Sequence, residues 1–407
     1  MRAYERLITY AQVHTASSED LSRTPTTERQ FDLSRLLAKE MRAMGLQDVY
    51  EDEHAYVYGV LPASEGLEDR PCVGLIAHID TIPDFPGENV KPQVHENYDG
   101  GDLPLGTSGR VLSTAQFPHL KDLAGQTLIT TDGTTVLGAD DKAGIAEILT
   151  ACERVIAEGI PHGRIAVCFP PDEEVGHGAA LLDIGRLGAD FAYTVDGGEL
   201  DVINFETFNA AAAHWEVHGF NVHPGSAKNT MVNACTVAME INAMLPTGDV
   251  PERTEGYEGF FHLTDMQGNV AEATLDYIIR DHDATVFVHR ETTMRHIEAL
   301  INERYGAGTA VLSIREQYRN MAEKLSERME IVELAEKAIA KAGFAPRRLP
   351  IRGGTDGSQL SYRGLLCPNL GTGGYAFHGP YEHITAENMD KAVEILLNLL
   401  EENTRQA

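Results

Sequence analysis

Cysteine is scarce in this chain. Its five thiols, Cys72, Cys152, Cys168, Cys235 and Cys367, lie far apart along 407 residues, and no two form a C-x-x-C. An odd, sparse set excludes a disulfide framework and reads as reduced thiols. Positive charge is short as well. Against 62 Asp+Glu stand 33 Lys+Arg, a formal net charge of −29. Nucleic acid is thereby excluded as the main partner, because phosphate binding needs a basic footprint. The same sign argues against an anionic membrane surface. No stretch approaches the ~18 uninterrupted apolar residues that a spanning helix needs, so no membrane span is expected. Charges inside Met1–Tyr10 break the apolar run a signal peptide requires, and the expected compartment is cytoplasmic. No G-x-x-x-x-G-K-[ST] or G-x-G-x-x-G follows a strand at a helix start, so nucleotide binding has no motif to rest on. Tryptophan occurs once, as Trp215, inside an apolar run that reads as packing.

What is present is an ordinary globular composition, 43% hydrophobic and 23% charged, which excludes disorder and collagen-like structure. The length suggests two or three domains. Thr27 with Gln30 has capping-box spacing, and Phe31, Leu33, Leu36, Leu37, Met41 and Met44 then fall on one helical face that Gly45 ends. Further on, Val73–Ala77, Ile165–Phe169 and Phe191–Val195 read as strands, with a helix over Ala143–Ala157. Strands alternating with helices predict a doubly wound, mainly parallel α/β sheet covered on both faces. The texture changes after Phe208. Ala210–His218 (strand), Met231–Leu245 (helix), Glu258–Met266 and Val270–Arg280 (strands about a Gln267-Gly268-Asn269 turn), Ala284–Arg304 (helix) and Thr309–Gln317 (strand) follow in the order βαββαβ. That is the ferredoxin-like arrangement. The expected organisation is a catalytic domain of residues 1–207 plus 322–407 and an inserted domain of residues 208–321.

Several apolar runs end in metal-type ligands. Val73–Ala77 leads into His78-Ile79-Asp80. Ile165–Phe169 leads through two prolines to Asp172-Glu173-Glu174. Phe191–Val195 ends in Asp196-Gly-Gly, and Asp140-Asp141 opens a helix. Taken singly, each is a polar loop, a helix start or a turn. Taken together, they fall where an open α/β sheet binds ligands, beyond the carboxyl ends of its strands. Converging carboxylates repel unless cations sit among them, and His with carboxylates but no cysteine suits Zn²⁺, Co²⁺ or Mn²⁺.

Longer motifs carry a resemblance. They include Ile76-Ala-His-Ile-Asp-Thr81, Leu137-Gly-Ala-Asp-Asp-Lys-Ala-Gly-Ile-Ala-Glu147, Pro171-Asp-Glu-Glu-Val-Gly176, Tyr193-Thr-Val-Asp-Gly-Gly198, Asn221-Val-His-Pro-Gly225 and Pro350-Ile-Arg-Gly-Gly-Thr-Asp-Gly357. With them the chain resembles, from near residue 1 to about residue 400, the peptidase T family of tripeptide aminopeptidases. These are di-zinc exopeptidases related to carboxypeptidase G and the acylamino-acid deacylases.

The resemblance implies two Zn²⁺ per chain, with Co²⁺ or Mn²⁺ as substitutes. His78, Asp140 and Asp196 would hold one ion, and Asp140, Glu174 and His378 the other. His378 is chosen over His383 because His378-Gly-Pro-Tyr-Glu382 fits the family's His-x-x-x-Glu. Glu173 is implied as the base for a metal-activated water, and Asp80 as the carboxylate orienting His78. The Asp140–Asp141 peptide is implied to be cis. His223 is the candidate oxyanion donor. Arg280, and less directly Arg352, are candidates for a peptide's C-terminal carboxylate, with an ion pair to Asp281 or Asp283 as the plainer role for Arg280 and loop bracing for Arg352. The implied activity is removal of the N-terminal residue from tripeptides. The alternative on the same metals is a dipeptidase or an N-acyl-amino-acid deacylase. A homodimer stays open, with His223 serving its own site or a partner's.

Overall fold

Strands buried at every position, Val57–Leu61 and Ile165–Phe169, mark the middle of the largest sheet. Such runs belong where both faces are covered. The computed structural model describes residues 1–405 and divides them into two units. The first comprises Met1–Phe205, Met321–Leu349 and the segment from Thr355 onward; the second comprises Glu206–Asn320 and Pro350–Gly354.

In the first unit the eight-stranded sheet runs in the order Gln47–Glu51, Val57–Leu61, Ile165–Phe169, Val73–Ile76, Phe191–Gly197, Asn369–Gly371, Val202–Asn204, Arg347–Arg348. The four strands from Ile165–Phe169 to Asn369–Gly371 pair in parallel. Antiparallel neighbours flank them. Alternate side chains enter different cores, as a period of two requires. Ile165, Val167 and Phe169 join the larger core with Val73 and Leu75. Ala166 and Cys168 face the other way, with Ile76, Ala192 and Leu360. The helices Ala3–Ala11, Ala139–Glu158, Glu330–Lys341 and Ala386–Asn403 bury their apolar stripes in the larger core. Each fully buried Leu, Ile or Val there contributes about 1.5–3 kcal/mol.

The helix Gln30–Met44 buries Leu33, Leu37 and Met41 and ends at Gly45, whose φ of 99° suits glycine. Its expected capping box is absent. Thr27 Oγ1 donates instead to the Ala16 carbonyl at 2.8 Å, and the Gln30 amide reaches Asp172 at 2.6 Å. The long segment after Asp84 is packed: Tyr98, Leu105 and Leu112 are buried with Leu120, Leu123 and Leu128.

The second unit is an antiparallel four-stranded sheet in the order Phe260–Gly268, Glu272–Asp281, Asn209–His218, Ala310–Tyr318. Ala211, Ala213, Trp215 and Val217 pack with Val237, Ile241, Met294 and Ile297 of the helices Ala234–Met244 and Ala284–Tyr305. Trp215 is fully buried there. Among the described residues no helix is long and apolar enough to cross a membrane, and all five cysteines are free thiols.

Candidate metal centre

Three adjacent parallel strands, Ile165–Phe169, Val73–Ile76 and Phe191–Gly197, point their carboxyl ends to one edge. His78-Ile79-Asp80 follows the middle strand. Glu173 and Glu174 sit on a short 3₁₀ turn beyond the first, and Asp196 lies near the end of the third. Asp140 and Asp141 open the helix Ala139–Glu158 with non-helical dihedrals, and the peptide between them is cis. Gly144 lets that helix lie close: a Cβ there would fall 2.0 Å from the Val195 carbonyl and 2.5 Å from the Asp141 carboxylate.

His78, Asp140, Glu174, Asp196 and His378 come together. Asp140 is central, its Oδ1 lying 3.0 Å from His78 Nε2 and its Oδ2 3.0 Å from His378 Nε2. Each imidazole meets a second carboxylate, His78 reaching Asp196 at 3.5 Å and His378 reaching Glu174 at 3.1 Å. Asp141 also lies within ligand range of His78 and Asp196. Its carboxylate, however, is taken by backbone amides, those of His78 at 3.1 Å and Gly144 at 3.3 Å. Asp140 thus lies between the two imidazoles, within 3.0 Å of each.

The electrostatics match a cation site. Hydrogen bonds that His378 donates to Asp140 and Glu174 push it up to about 11. Burial opposes a charge on His78, yet Asp196, Asp140 and Asp80 hold its pKa well above the usual range. Burial and Asp140 push Glu174 up to about 7. Burial raises Asp196 to about 6, with His78 opposing. Asp140, Asp196 and Glu174 face positive charge here as protons on the two imidazoles. Divalent ions would supply that charge, and a donor set of oxygen and imidazole nitrogen without sulfur fits Zn²⁺, Co²⁺ or Mn²⁺.

Asp80 is fully buried and ties two loops together. His78 Nδ1 is 3.0 Å from the Asp80 carbonyl and 3.3 Å from its carboxylate. That carboxylate accepts the amides of Glu173 at 3.0 Å and Glu174 at 3.2 Å. Burial, with Asp196 and Asp356 nearby, raises the Glu173 carboxyl well above its ordinary value.

Two carboxylates that the sequence motifs contain, with no role assigned above, act as supports. Asp172, at a φ of 61°, accepts from the Thr26 amide and hydroxyl and from the Gln30 amide, fixing the turn that carries Glu173. Glu382 accepts from the amides of Leu137, Gly138 and Asp140. Its signal was the four-residue spacing from His378.

The other three sequence candidates lie in the second unit. His223 is exposed, and its Nδ1 accepts from the Gly225 amide at 3.1 Å. Arg280 Nη1 donates to the carbonyls of Ala211 and Ile279, and the guanidinium lies 5.4 Å over the Tyr318 ring. The ion pair weighed for Arg280 does not form: Asp281 pairs with Arg290 at 2.7 Å and Asp283 caps a helix. Arg352 spends several donors on its own unit. Its terminal nitrogens donate to the carbonyls of Gly256 and Glu258 and to Thr254 Oγ1, at 2.8, 2.8 and 2.9 Å. These bonds hold the Thr254–Glu258 loop, which is the bracing role named above for Arg352.

Fold and cluster together define a two-unit α/β protein with a candidate dinuclear metal centre. The profile of peptidase family M20/M25/M40 matches residues 137–402, and the chain belongs to that family. It is 49% identical over 400 residues to peptidase T of Alkaliphilus oremlandii, covering 98% of each chain. Peptidase T of Shouchella clausii is 50% identical over 396 residues, covering 97% of this chain and 96% of that one. A tripeptidase structure from Staphylococcus aureus superposes with a TM-score of 0.80 at 22% identity, covering 100% of this chain and 98% of the other.

Proposed function

We propose that this protein is a metal-dependent aminopeptidase that removes the N-terminal residue from tripeptides. The observation that carries the reading is Asp140 standing 3.0 Å from both His78 and His378, each imidazole completed by a further carboxylate. Near-50% identity over almost the whole chain to proteins named peptidase T supports the substrate class.

Two divalent ions, Zn²⁺ in our assignment, would be held by His78, Asp140 and Asp196 and by Asp140, Glu174 and His378. When bound they would supply Lewis acidity and a water of lowered pKa. The chain's own residues do the rest. Glu173 takes the proton of the attacking water and delivers it to the leaving amine. Its turn is held in place by Asp80 and Asp172. Asp80 also fixes the ring of His78 through Nδ1. In the second unit, which we assign to substrate binding, Arg280 receives the peptide's carboxylate and His223 donates to the oxyanion. A cytoplasmic location completes the proposal.

The test is a panel of Ala-Ala-Ala, Ala-Ala and N-acetyl-amino acids assayed with Zn²⁺, Co²⁺ or Mn²⁺ restored after chelation. Cleavage of the tripeptide from its N-terminus is expected. Turnover of the acylated compounds alone would replace this reading with a deacylase, and of the dipeptide alone with a dipeptidase.

A further inference from the structure

The loop from Tyr375 to His383 carries both His378 and Glu382, and it is held in an unfavourable backbone path. Ala376 has a φ of 54° and His378 a φ of 64°, left-handed values that residues with a Cβ rarely adopt. Something must over-determine that path. At one end Glu382 grips the amides around Asp140. The base is closed by a short bridge, Tyr375 and His383 exchanging backbone hydrogen bonds of 2.9 and 3.1 Å.

A third element lies on that base. His119, from the 3₁₀ segment Pro118–Leu123, places its Nε2 2.9 Å from His383 Nε2, the two rings being parallel within 3°. The same His119 ring stacks on Tyr375, with centroids 4.2 Å apart and planes at 18°. Phe117 meets both imidazoles edge-on at about 6 Å, 6.2 Å for His119 and 6.0 Å for His383. Thus one side chain touches both residues that close the loop.

Hydrogen-bond chemistry fixes the direction of this contact. His383 Nδ1 lies 2.7 Å from the Tyr381 carbonyl, so Nδ1 carries the hydrogen and Nε2 is the acceptor. His119 Nε2–H must then be the donor. His383 is fully buried, which disfavours a second proton and the charge it would bring.

We propose that His119 is a positioning residue for the metal centre: by donating to His383 and stacking on Tyr375 it holds the loop closed and aims His378 at Asp140 and Glu174. The proposal rests on the reading of His378 as a ligand. It concerns a residue that touches neither metal nor substrate, so its signature is selective. It should weaken the ion held by His378 and spare the one held by His78 and Asp196.

Co²⁺ binding to the full chain, followed by calorimetry and visible absorption, tests this with two variants. H119F keeps a flat ring for the stack and deletes the donor; H119Q keeps a donor. H119F should weaken one of two Co²⁺ sites by about 10- to 100-fold, in line with other residues that orient a ligand. It should also change the absorption of that ion, while H119Q recovers most of the affinity. Two sites of unchanged affinity in H119F, or equal weakening of both, would overturn the proposal. Should H119F fail to fold, ring ¹⁵N spectra of the unaltered protein decide. A hydrogen on His119 Nε2 and on His383 Nδ1 supports the interlock, and any other tautomer pair refutes it. Failure of the unaltered protein to bind two Co²⁺ would instead strike the metal-centre reading itself.

Discussion

Glu382 holds Asp140 by its backbone. One carboxylate oxygen accepts the Asp140 amide at 3.0 Å, and the other accepts the amides of Leu137 and Gly138 at 2.7 and 2.8 Å. The residue is almost completely buried, and burial raises its carboxyl to about 7 even though those amides favour the charge. In E382Q one half of the acceptor becomes an NH₂ that faces backbone N–H groups. Loss of such buried partners costs about 1–3 kcal/mol of stability. Because Asp140 lies between both imidazoles, metal affinity should fall about 10- to 100-fold as well. Calorimetric Zn²⁺ titration beside a urea melt checks both figures. A variant destabilised but binding zinc as tightly as before would limit Glu382 to folding.

The turn that carries Glu173 hangs on Asp172 in a similar way. Its carboxylate accepts from the Thr26 amide and hydroxyl and from the Gln30 side-chain amide. D172A leaves those buried donors unmet and removes the anchor. A loss of about 2 kcal/mol in apo stability is expected, with kcat falling more than KM rises because Glu173 drifts. An unchanged kcat in a destabilised variant would show that Asp80 alone is enough to hold the turn.

Glu173 itself is expected to act in proton transfer without holding metal. E173Q should cut kcat by about 10²- to 10⁴-fold, the range for a lost general base. Zinc content should stay at that of the unaltered protein. Loss of zinc on the same substitution would move Glu173 from base to ligand.

His383 gives the fold a pH dependence that can be isolated in the metal-free protein. Burial pushes it down to about 4, with the Tyr381 carbonyl opposing and His119 adding to the fall. An unfolded histidine titrates near about 6.5. Between those values the unfolded chain binds a proton that the folded chain refuses. Stability from this group is therefore complete above about 6.5 and is lost as pH falls towards 4, by at most about 3 kcal/mol. Urea midpoints of H383F and the unaltered chain, measured at pH 7 and pH 4.5, should show a shallower decline in the variant. Parallel declines would mean that His383 charges freely in the fold.

Much of the candidate centre was legible because its residues end recognisable elements. A strand followed by His78-Ile79-Asp80, and another ending at Asp196, put chemistry at a sheet edge before any coordinates. What sequence hid was long-range pairing. The Glu382 carboxylate meets amides 242 to 245 residues away, and no local period encodes that. Thr27 misled in the opposite direction: a good local cap spacing yielded to a tertiary bond with Ala16. Arg352 and Arg280 looked alike as free arginines, and only their neighbours separate them.

That separation gives the sharpest substrate prediction. Arg352 spends its donors on Thr254, Gly256 and Glu258, whereas among the described residues no carboxylate pairs with Arg280. Burial already lowers the Arg280 pKa, so an arriving carboxylate would meet a poorly solvated cation and bind it strongly. R280A should raise KM for a tripeptide by about 10- to 100-fold, the size of a charge-assisted hydrogen bond. The same substitution should leave KM for the tripeptide amide nearly unchanged. R352A should affect both substrates alike, through a loosened Thr254–Glu258 loop. Equal effects of R280A on peptide and amide would remove Arg280 from substrate recognition and return it to the packing of its own sheet.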